Sequence, residues 1–528
     1  MHYNIYKKIN EVNIRLGYMS RTKNSIRNIK YATIGQILGL MISFFARMIF
    51  VRTLSAEYLG VNGLFTNILS MLSLAELGIG TAIVYSMYKP LAEKDGSKLK
   101  ALMELYKKAY ITIGIAIAFL GTVLTPFLGY IIKDMPDIPH IYVIYLMFVA
   151  NSSISYFFSY NRSLIIADQK KYIETFYRYS FFFVLNIFQI LILIFTQNYI
   201  YYLGLQLINT FVGNIFISRK ANQLYPFLRE KSIVNLNKEE KNTIVRNVKA
   251  LMFHRIGGIV VLGTDNLLIA KFVGIVSVGL YSNYLLITNA LNMIFGLIFE
   301  SLTASIGNLG VTEAKEKQQV TFETINFAGF WIYSFASICL INLINPFINT
   351  WLGKEYLFPL HLVLLIVMSF YLTGMRASVL TFRNALGLYW YDRYKPIFEV
   401  GINLVASIFL ANQIGIAGIF IGTIISTLTT CFWVEPYVVY KYGFGISALT
   451  YFMKYLFYTV FMIIVGAGTW IICGAFSGAT LIGFMGKMMT CVIVPNVICV
   501  VVFWKTKEFQ YLLKVFKPTF ARCFGKQD

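Results

Sequence analysis

Ionisable side chains lie inside long apolar segments of this sequence, where a charge is costly. A charged residue at membrane depth costs roughly 3 kcal/mol on insertion scales, so such residues mark transport pathways by default. Arginine there predicts anion binding, because its forked guanidinium matches phosphate oxygens. A carboxylate predicts a proton or cation site. The residues are Arg47, Glu76, Arg255, Asp265, Glu300, Arg376, Arg383, Glu399 and Lys487.

The arginines occur at several depths and could line a path for an anion. Arg47 lies in the outer half of the first apolar segment and Arg52 at its outer end. Arg255 lies near the inner end of the seventh segment. Arg47 and Arg255 have an alternative role, in which each extends to the nearer membrane interface.

Arg376 and Arg383 are seven residues apart, so they share one helix face. Arg383 and Glu399 lie near the cytoplasmic ends of consecutive apolar segments. They could form a structural ion pair, which is the alternative to anion binding by Arg383. Arg376 lies deeper and has no obvious partner in the sequence.

Asp265 lies in the middle of an apolar segment, within Gly-Thr-Asp-Asn. A single carboxylate flanked by polar neighbours suits a proton or Na⁺. Asn403, one turn after Glu399, could contribute oxygens to that site. A salt bridge from Asp265 to an arginine is the alternative. Glu76 and Glu300 are interpreted as proton carriers or as counter-charges for the arginines.

The elements that must position these residues are membrane helices. The chain is 57% hydrophobic and only 13% charged, with a mean hydropathy of +0.65, which excludes a soluble globule. About 20 apolar residues span a bilayer. On that length we predict 14 spans, at 31–53, 61–88, 109–132, 141–166, 177–197, 199–218, 251–273, 279–306, 324–350, 359–386, 395–413, 415–437, 451–475 and 480–503.

The positive charges alternate between successive connections. Of the 46 Lys and Arg residues, 38 lie in every second connection or in the two tails. Lys and Arg accumulate on the cytoplasmic side, so both termini are predicted to be cytoplasmic, in a bacterial inner membrane. The net charge of +22 is dispersed among the spans, which argues against nucleic acid and favours contact with anionic membrane lipid.

No pattern of an enzyme is present. The sequence lacks G-x-S-x-G, a P-loop and H-E-x-x-H, and its outer connections are too short to hold an active site. We therefore expect a transporter without a bound cofactor. Aromatic residues of the fourth span could stack on sugar rings, but they are assigned to packing, because membrane-interface belts use the same residue types. These residues are Tyr156, Phe157, Phe158 and Tyr160.

The spans suggest two halves. Residues 52–60 resemble residues 271–279, and each stretch follows a helix that leaves the membrane. We predict a basic cytoplasmic segment, a six-helix bundle, a cytoplasmic linker, a second six-helix bundle, helices 13 and 14, and a basic cytoplasmic tail. The corresponding ranges are 1–30, 31–218, 219–250, 251–437, 438–503 and 504–528.

Several motifs resemble those of Wzx-type polysaccharide repeat-unit flippases, which are the oligosaccharidyl-lipid branch of the MOP superfamily. They are the stretches Ala75–Ala92, Gly263–Ile269, Val278–Tyr284 and Arg52–Gly60. The resemblance covers essentially the whole chain. It implies a MATE-like fold of two six-helix bundles around a cavity, plus two extra helices, that works by alternating access.

The resemblance also implies a cargo, an undecaprenyl-pyrophosphate-linked oligosaccharide moved from the inner to the outer leaflet, and the polysaccharide assembly machinery as a partner. In the related lipid II flippases, cavity arginines bind pyrophosphate and a Na⁺ site lies between helices 7, 11 and 12. The matching residues here are Arg47, Arg255 and Arg376 for pyrophosphate, and Asp265 and Asn403, with Thr423 or Thr427, for Na⁺ or proton coupling. Glu399 is the one carboxylate of the eleventh span that matches the helix 11 part of that ion site.

Three other functions stay open. A lipid II flippase would show the same pattern. A multidrug exporter of the same superfamily needs 12 spans and an acid-rich cavity, which the arginines disfavour. A membrane polysaccharide polymerase or ligase needs a large external loop, which the short outer connections disfavour.

Overall fold

The structure, a computed structural model, describes residues 2–76, 79–229, 236–477 and 480–514; inside its helices, the side chains of 2–26, 29, 74–75, 81, 243, 247, 249–262 and 304 are not described. The described residues contain no β-strand. The α-helices are α1 (His2–Thr53), α2 (Ala56–Leu72), α3 (Ile79–Glu93), α4 (Gly96–Leu124), α5 (Leu128–Ile131), α6 (Ile141–Tyr156), α7 (Tyr160–Ala167), α8 (Lys171–Thr196), α9 (Tyr199–Leu224), α10 (Lys238–Phe272), α11 (Ile275–Thr312), α12 (Lys315–Trp351), α13 (Leu360–Met375), α14 (Ala377–Ala385), α15 (Lys395–Ile414), α16 (Ile416–Ser426), α17 (Phe432–Val438), α18 (Leu449–Cys473) and α19 (Leu481–Phe503).

The helices confirm the predicted all-α membrane protein. Within the described ranges, 11 helical segments are long and apolar enough to cross a membrane, or 12 if the bent pair α6 and α7 is one span. The two predicted spans that are missing from this set are 61–88 and 251–273. Both contain residues whose placement or side chains are not described, so the count of 14 stays a prediction.

The chain divides into two compact units, which we call the N-terminal unit (Met1–Gly263) and the C-terminal unit (Thr264–Asp528). Helix α10 crosses the boundary between them. The two halves of the faint sequence repeat both fall at helix junctions, one between α1 and α2 and one between α10 and α11. The predicted domain boundaries remain predictions.

Paired glycines let helices approach closely in each unit. On α1, a Cβ atom on Gly35 would lie 2.2 Å from the ring of Tyr179, and one on Gly39 would lie 3.0 Å from the same ring. Helix α1 therefore packs this closely against α8 because both positions lack a Cβ atom. Gly418 and Gly422 do the same for α16, where a Cβ on Gly418 would lie 2.3 Å from backbone atoms of α15. Small residues four apart are the usual means by which membrane helices come into contact.

The linker before α10 is anchored on the N-terminal unit. The backbone N–H of Glu240 donates to Asn237 Oδ1 at 2.7 Å, and the N–H of Asn237 donates to Glu240 Oε2 at 3.2 Å. This reciprocal arrangement of two residues three positions apart is a capping box, which satisfies backbone N–H groups at the start of a helix. Glu240 also accepts an ion pair from Lys98 at 2.5 Å, which ties the start of α10 to the start of α4.

Candidate functional site

Polar side chains from three helices meet in the C-terminal unit. Asp265 is on α10, Asn403 on α15 and Thr423 on α16. Thr423 Oγ1 donates to Asp265 Oδ1 at 3.1 Å and accepts from Asn403 Nδ2 at 2.9 Å. Thr264 Oγ1 donates to Asn403 Oδ1 at 3.5 Å. We call these four residues the Asp265 network. It joins residues as far as 158 positions apart.

The Asp265 network offers oxygen atoms in apolar surroundings. Asn403 is fully buried. The ring of Tyr281 on α11 lies 4.8 Å from the ring of Phe420 on α16, and Tyr281 is within electrostatic range of Asp265. One carboxylate with hydroxyl and amide oxygens suits a hard monovalent cation or a proton. Among the described residues, no group of three or more His, Cys, Asp or Glu could hold a metal ion.

A second polar group in the same unit consists of Arg376, Lys395, Glu399 and Glu435, which we call the charge cluster. Arg376 donates to both carboxylate oxygens of Glu435 through one edge of its guanidinium, Nε to Oε2 at 2.9 Å and Nη2 to Oε1 at 2.8 Å. Lys395 Nζ lies 2.5 Å from Glu435 Oε1 and 3.5 Å from Glu399 Oε2. Arg376 Nη1 is 4.0 Å from Glu399 Oε1. Two cations therefore face two anions.

The charge cluster has no room for a ligand. The side chain of Glu435 is 1% exposed, and the space beside Arg376, Thr427 and Glu435 measures about 10 Å³, close to the smallest space that holds one water molecule. The expectation that Arg376 lacks a partner is wrong, because Glu435 neutralises it. Thr427 lines this space, and its hydroxyl donates to the Thr423 carbonyl at 2.9 Å, whereas Thr423 belongs to the Asp265 network.

Arg383 is paired with residues that are close to it in the sequence. Its Nη1 lies 2.5 Å from Asp392 Oδ2, and the side chain of Asp392 is 3% exposed. Arg383 also donates to Asn384 Oδ1 at 3.1 Å. The predicted pairing of Arg383 with Glu399 is therefore wrong, because the turn after α14 returns Asp392 to Arg383 while Glu399 faces Lys395.

The other predicted site residues are more dispersed. Arg47 is half-buried on α1, within electrostatic range of the Tyr199 and Tyr202 hydroxyls. Arg52 is exposed at the end of α1, and Glu300 is exposed on α11. The side chain of Arg255 lies outside the described residues. A shared pyrophosphate site for these arginines stays a prediction.

The N-terminal unit contains an open cavity of about 400 Å³, which we call the polar cavity. Glu76, at one side, accepts hydrogen bonds from two tyrosines. The hydroxyl of Tyr110 donates to Oε1, and that of Tyr156 donates to Oε2 at 3.2 Å. The assignment of Tyr156 to packing alone is thus incomplete, because its hydroxyl belongs to this cavity.

Two arginines form another part of the cavity lining. Arg162 and Arg178 share the carboxylate of Glu174, with Nε–Oε1 distances of 4.0 Å and 3.4 Å. Arg162 Nη2 also donates to Asn214 Oδ1 at 3.1 Å. The arginine side chains are 36% and 50% exposed, whereas Glu174 is 7% exposed. The carboxylate is therefore the buried member of the group, and the guanidinium groups reach the open space.

A break in the fourth predicted span forms one side of the polar cavity. Helices α6 and α7 meet at 45°, and Phe158 between them has a positive φ of 68°. The break releases backbone carbonyls, and Asn214 Nδ2 donates to those of Ile154, Ser155 and Phe157 at 3.3–3.4 Å. Irregular backbone at membrane depth is tolerated where it is buried in protein or lines a cavity.

Sequence reasoning missed these residues for different reasons. Glu435 is the one charged residue of the predicted span 415–437, so a signal was present and was not used. Arg162 and Arg178 fall at the two ends of the connection 162–178, where a cation usually indicates only that the connection lies on the cytoplasmic side. No glycine or proline marks the break at Phe158.

Solved structures share the fold of this chain. The lipid II flippase MurJ in an inward closed conformation aligns with a TM-score of 0.61 and 12% identity, covering 90% of this chain and 99% of its own. An inward-facing multidrug resistance MATE family transporter of the MOP superfamily aligns with a TM-score of 0.51 and 13% identity, covering 78% of this chain and 98% of its own. At these identities the likeness establishes the fold alone.

Sequence comparison identifies the family of this chain. No curated protein matches the sequence. The family model described as polysaccharide biosynthesis protein matches residues 25–303, which is more than half of the chain. That match includes the polar cavity and Asp265. The chain is therefore a multi-pass membrane protein that belongs to the polysaccharide biosynthesis protein family and has a fold similar to those of MurJ and the MATE transporter.

Proposed function

We propose that this protein is a flippase that moves undecaprenyl-pyrophosphate-linked oligosaccharide repeat units from the inner to the outer leaflet of the bacterial cytoplasmic membrane. Membership of the polysaccharide biosynthesis family supports a polysaccharide precursor as the cargo. The fold shared with a lipid II flippase supports a lipid-linked one. Sugars and pyrophosphate cross through polar protein space while the prenyl tail stays in lipid. Both termini face the cytoplasm, and the assembly machinery receives the product outside.

The Asp265 network is the observation that carries the transport mechanism. A ligand shifts an equilibrium between two states only through its differential affinity for them. Asp265, Asn403 and Thr423 come from three helices, so a change in helix packing alters their separation. A Na⁺ ion or a proton bound by Asp265 would favour the arrangement in which these oxygens converge. The protein therefore couples the flip to a cation gradient.

A translocation assay tests this function. The purified full-length chain is reconstituted into liposomes that contain a fluorescent undecaprenyl-pyrophosphate-linked oligosaccharide, and a membrane-impermeant quencher reports the label in the outer leaflet. We expect label from the inner leaflet to become accessible, and faster with a Na⁺ or proton gradient. Asp265→Asn should abolish the dependence on the gradient, because the neutral amide keeps the shape but loses the charge.

The matched control is Glu316→Gln, which neutralises an exposed carboxylate of the same unit and should behave as the unmodified protein. Failure of the unmodified protein to expose the oligosaccharide lipid would contradict the flippase assignment. Equal transport of lipid II, or preference for a lipophilic cation, would favour the other MOP-superfamily functions. An unchanged gradient response in Asp265→Asn would remove the coupling role.

A further inference from the structure

We propose that the polar cavity of the N-terminal unit is a binding site for an acidic sugar, meaning a sugar ring that bears one carboxylate or phosphate group. The statement that this ligand is part of a transported head group rests on the proposed function. Binding of an acidic sugar to the polar cavity is tested separately from transport. The residues that carry it are Glu76, Arg162, Glu174, Tyr177, Arg178 and Asn209.

The dimensions of the polar cavity suit one or two sugar rings. Its volume of about 400 Å³ lies toward the lower end of the roughly 300–1,000 Å³ typical of small-molecule sites. The prenyl tail of a lipid carrier would not be compatible with it, because charged and amide side chains line the space. The cavity therefore matches the head group alone.

The arginine side of the cavity has an unbalanced positive charge. Arg162 and Arg178 together face the single carboxylate of Glu174. A guanidinium has about five N–H donors. The shared carboxylate and the Asn214 oxygen cannot accept from all of the donors on two guanidinium groups. A carboxylate or phosphate of a ligand can pair with the exposed edges, and such charge-assisted bonds are the strong ones.

The rest of the lining matches a ring rich in hydroxyl groups. Asn209 and Ser159 offer side-chain donors and acceptors, and the rings of Tyr177 and Phe181 offer faces on which a sugar can pack. Glu76, which already accepts from two tyrosine hydroxyls, can accept from a sugar hydroxyl as well. Few precisely placed polar groups beside aromatic walls are what orients a small ligand.

The helix break supplies an independent indication that this space is a site. Discontinuous membrane helices form the substrate sites of many transporters. Here the break between α6 and α7 lines the polar cavity, and Asn214 holds the released carbonyls while it accepts from Arg162. The chain thus maintains irregular backbone at this position and couples it directly to a ligand-facing arginine.

A lipophilic cation, the expected cargo of a drug exporter, fits the same space poorly. On the arginine side of the cavity, the two guanidinium groups would repel it, and only the Glu76 side offers it a carboxylate. A neutral sugar would leave the exposed guanidinium edges without a partner. Of these three ligand classes, the acidic sugar is the one that matches both the arginine side and the hydroxyl-binding side of the cavity.

Equilibrium binding to the purified full-length protein tests the inference. The probes are glucuronic acid, glucose 1-phosphate, glucose and inorganic pyrophosphate, titrated by calorimetry in detergent. We expect an acidic sugar to bind about 10-fold or more tightly than glucose, the ratio that one charge-assisted hydrogen bond supplies. Whichever of glucuronic acid and glucose 1-phosphate binds more tightly shows whether the cavity prefers a carboxylate or a phosphate. Glucose binding as tightly as the acids, pyrophosphate binding more tightly than either, or no binding of any probe would overturn the proposal.

Variants separate ligand contact from structure. Arg162→Gln and Arg178→Gln should each weaken the acidic sugar roughly 10-fold and leave glucose unaffected. Glu174→Gln should tighten the acidic sugar, because it removes the competing carboxylate. Arg219→Gln, an exposed arginine on α9, is the matched control and should bind normally. Weaker acid binding in a folded Glu174→Gln protein would contradict the inference.

The outcome is distinguishable from that of the flippase assay. Acid-sugar binding without translocation would contradict the proposed function and leave this site standing. Translocation with unaltered acid-sugar binding in both arginine variants would contradict this site and leave the proposed function standing.

Discussion

The charge cluster and the polar cavity contain the same complement of charges, two cationic side chains and two carboxylates. In the charge cluster, Glu435 lies between Arg376 and Lys395 and contacts both. In the polar cavity, Glu174 contacts both arginines, but Glu76 is engaged by tyrosine hydroxyls. The space beside the first group is about 10 Å³, and the space beside the second is about 400 Å³.

The difference shows how placement of the carboxylates decides what an arginine can do. When both carboxylates reach both cations, the group is neutral and closed, and it joins helices. When one carboxylate is held elsewhere, the arginines keep donors that face open space. An arginine in an apolar segment is therefore evidence of a ligand site only when its partners leave part of the guanidinium unused.

The largest effect is expected from Glu435→Gln. This change leaves Arg376 and Lys395 buried without their shared anion, and breaking a buried pair costs about 3–5 kcal/mol. We expect a strongly lowered thermal unfolding temperature in detergent. The control is Glu313→Gln, which removes an exposed pair with Lys317 and should cost about 1 kcal/mol or less. Equal shifts for the two variants would mean that the charge cluster does not join the helices.

The next effect concerns the wall of the polar cavity. Asn214→Ala removes the donor that serves three carbonyls at the break between α6 and α7, and an unsatisfied buried group costs about 1–3 kcal/mol. Thermal unfolding should show the loss, together with weaker binding of an acidic sugar. Asn412→Ala, at an exposed position on α15, is the control. Unchanged stability in Asn214→Ala would show that the break is held by other groups.

A smaller effect on stability is expected from Arg178→Gln. The side chain of Arg178 is 50% exposed, so its pair with Glu174 is screened by solvent and contributes about 1 kcal/mol or less. Arg376→Gln should be much more destabilising, because it leaves Glu435 buried beside only Lys395. Similar unfolding temperatures for the two arginine variants would remove the distinction between the closed and the open group.

The smallest effect is a pH dependence at the linker. A hydrogen bond from Lys98 holds the pKa of Glu240 below its usual value. The stabilisation is therefore present above the unfolded-state pKa and is lost as the pH falls through the folded-state pKa. Both side chains are about one-third exposed, so it amounts to roughly 0.2–1 kcal/mol. Unfolding of the unmodified protein and of Lys98→Gln should converge in acid; a constant difference would contradict this role.

Part of the fold and part of the candidate site were predictable from the sequence. The reciprocal cap of Asn237 and Glu240 follows from spacing within one helical turn, which is a local property. The meeting of Asp265, Asn403 and Thr423 was expected from the family resemblance and is found in the fold. The residue types alone suggested Asn403 for the site of Asp265 but did not establish a contact, because residues on different helices meet only through the packing of those helices.

The sequence by itself determined the all-α membrane class, since the length and polarity of each apolar run decide whether it can cross a bilayer. Only the tertiary structure decided which charges are neutralised. Arg383 meets Asp392 and not Glu399, and Arg376 meets Glu435, because a helical spacing defines a face but not the neighbour of that face. The polar cavity depends on the same information, since it forms where a broken helix, an amide and two arginines from separate elements come together.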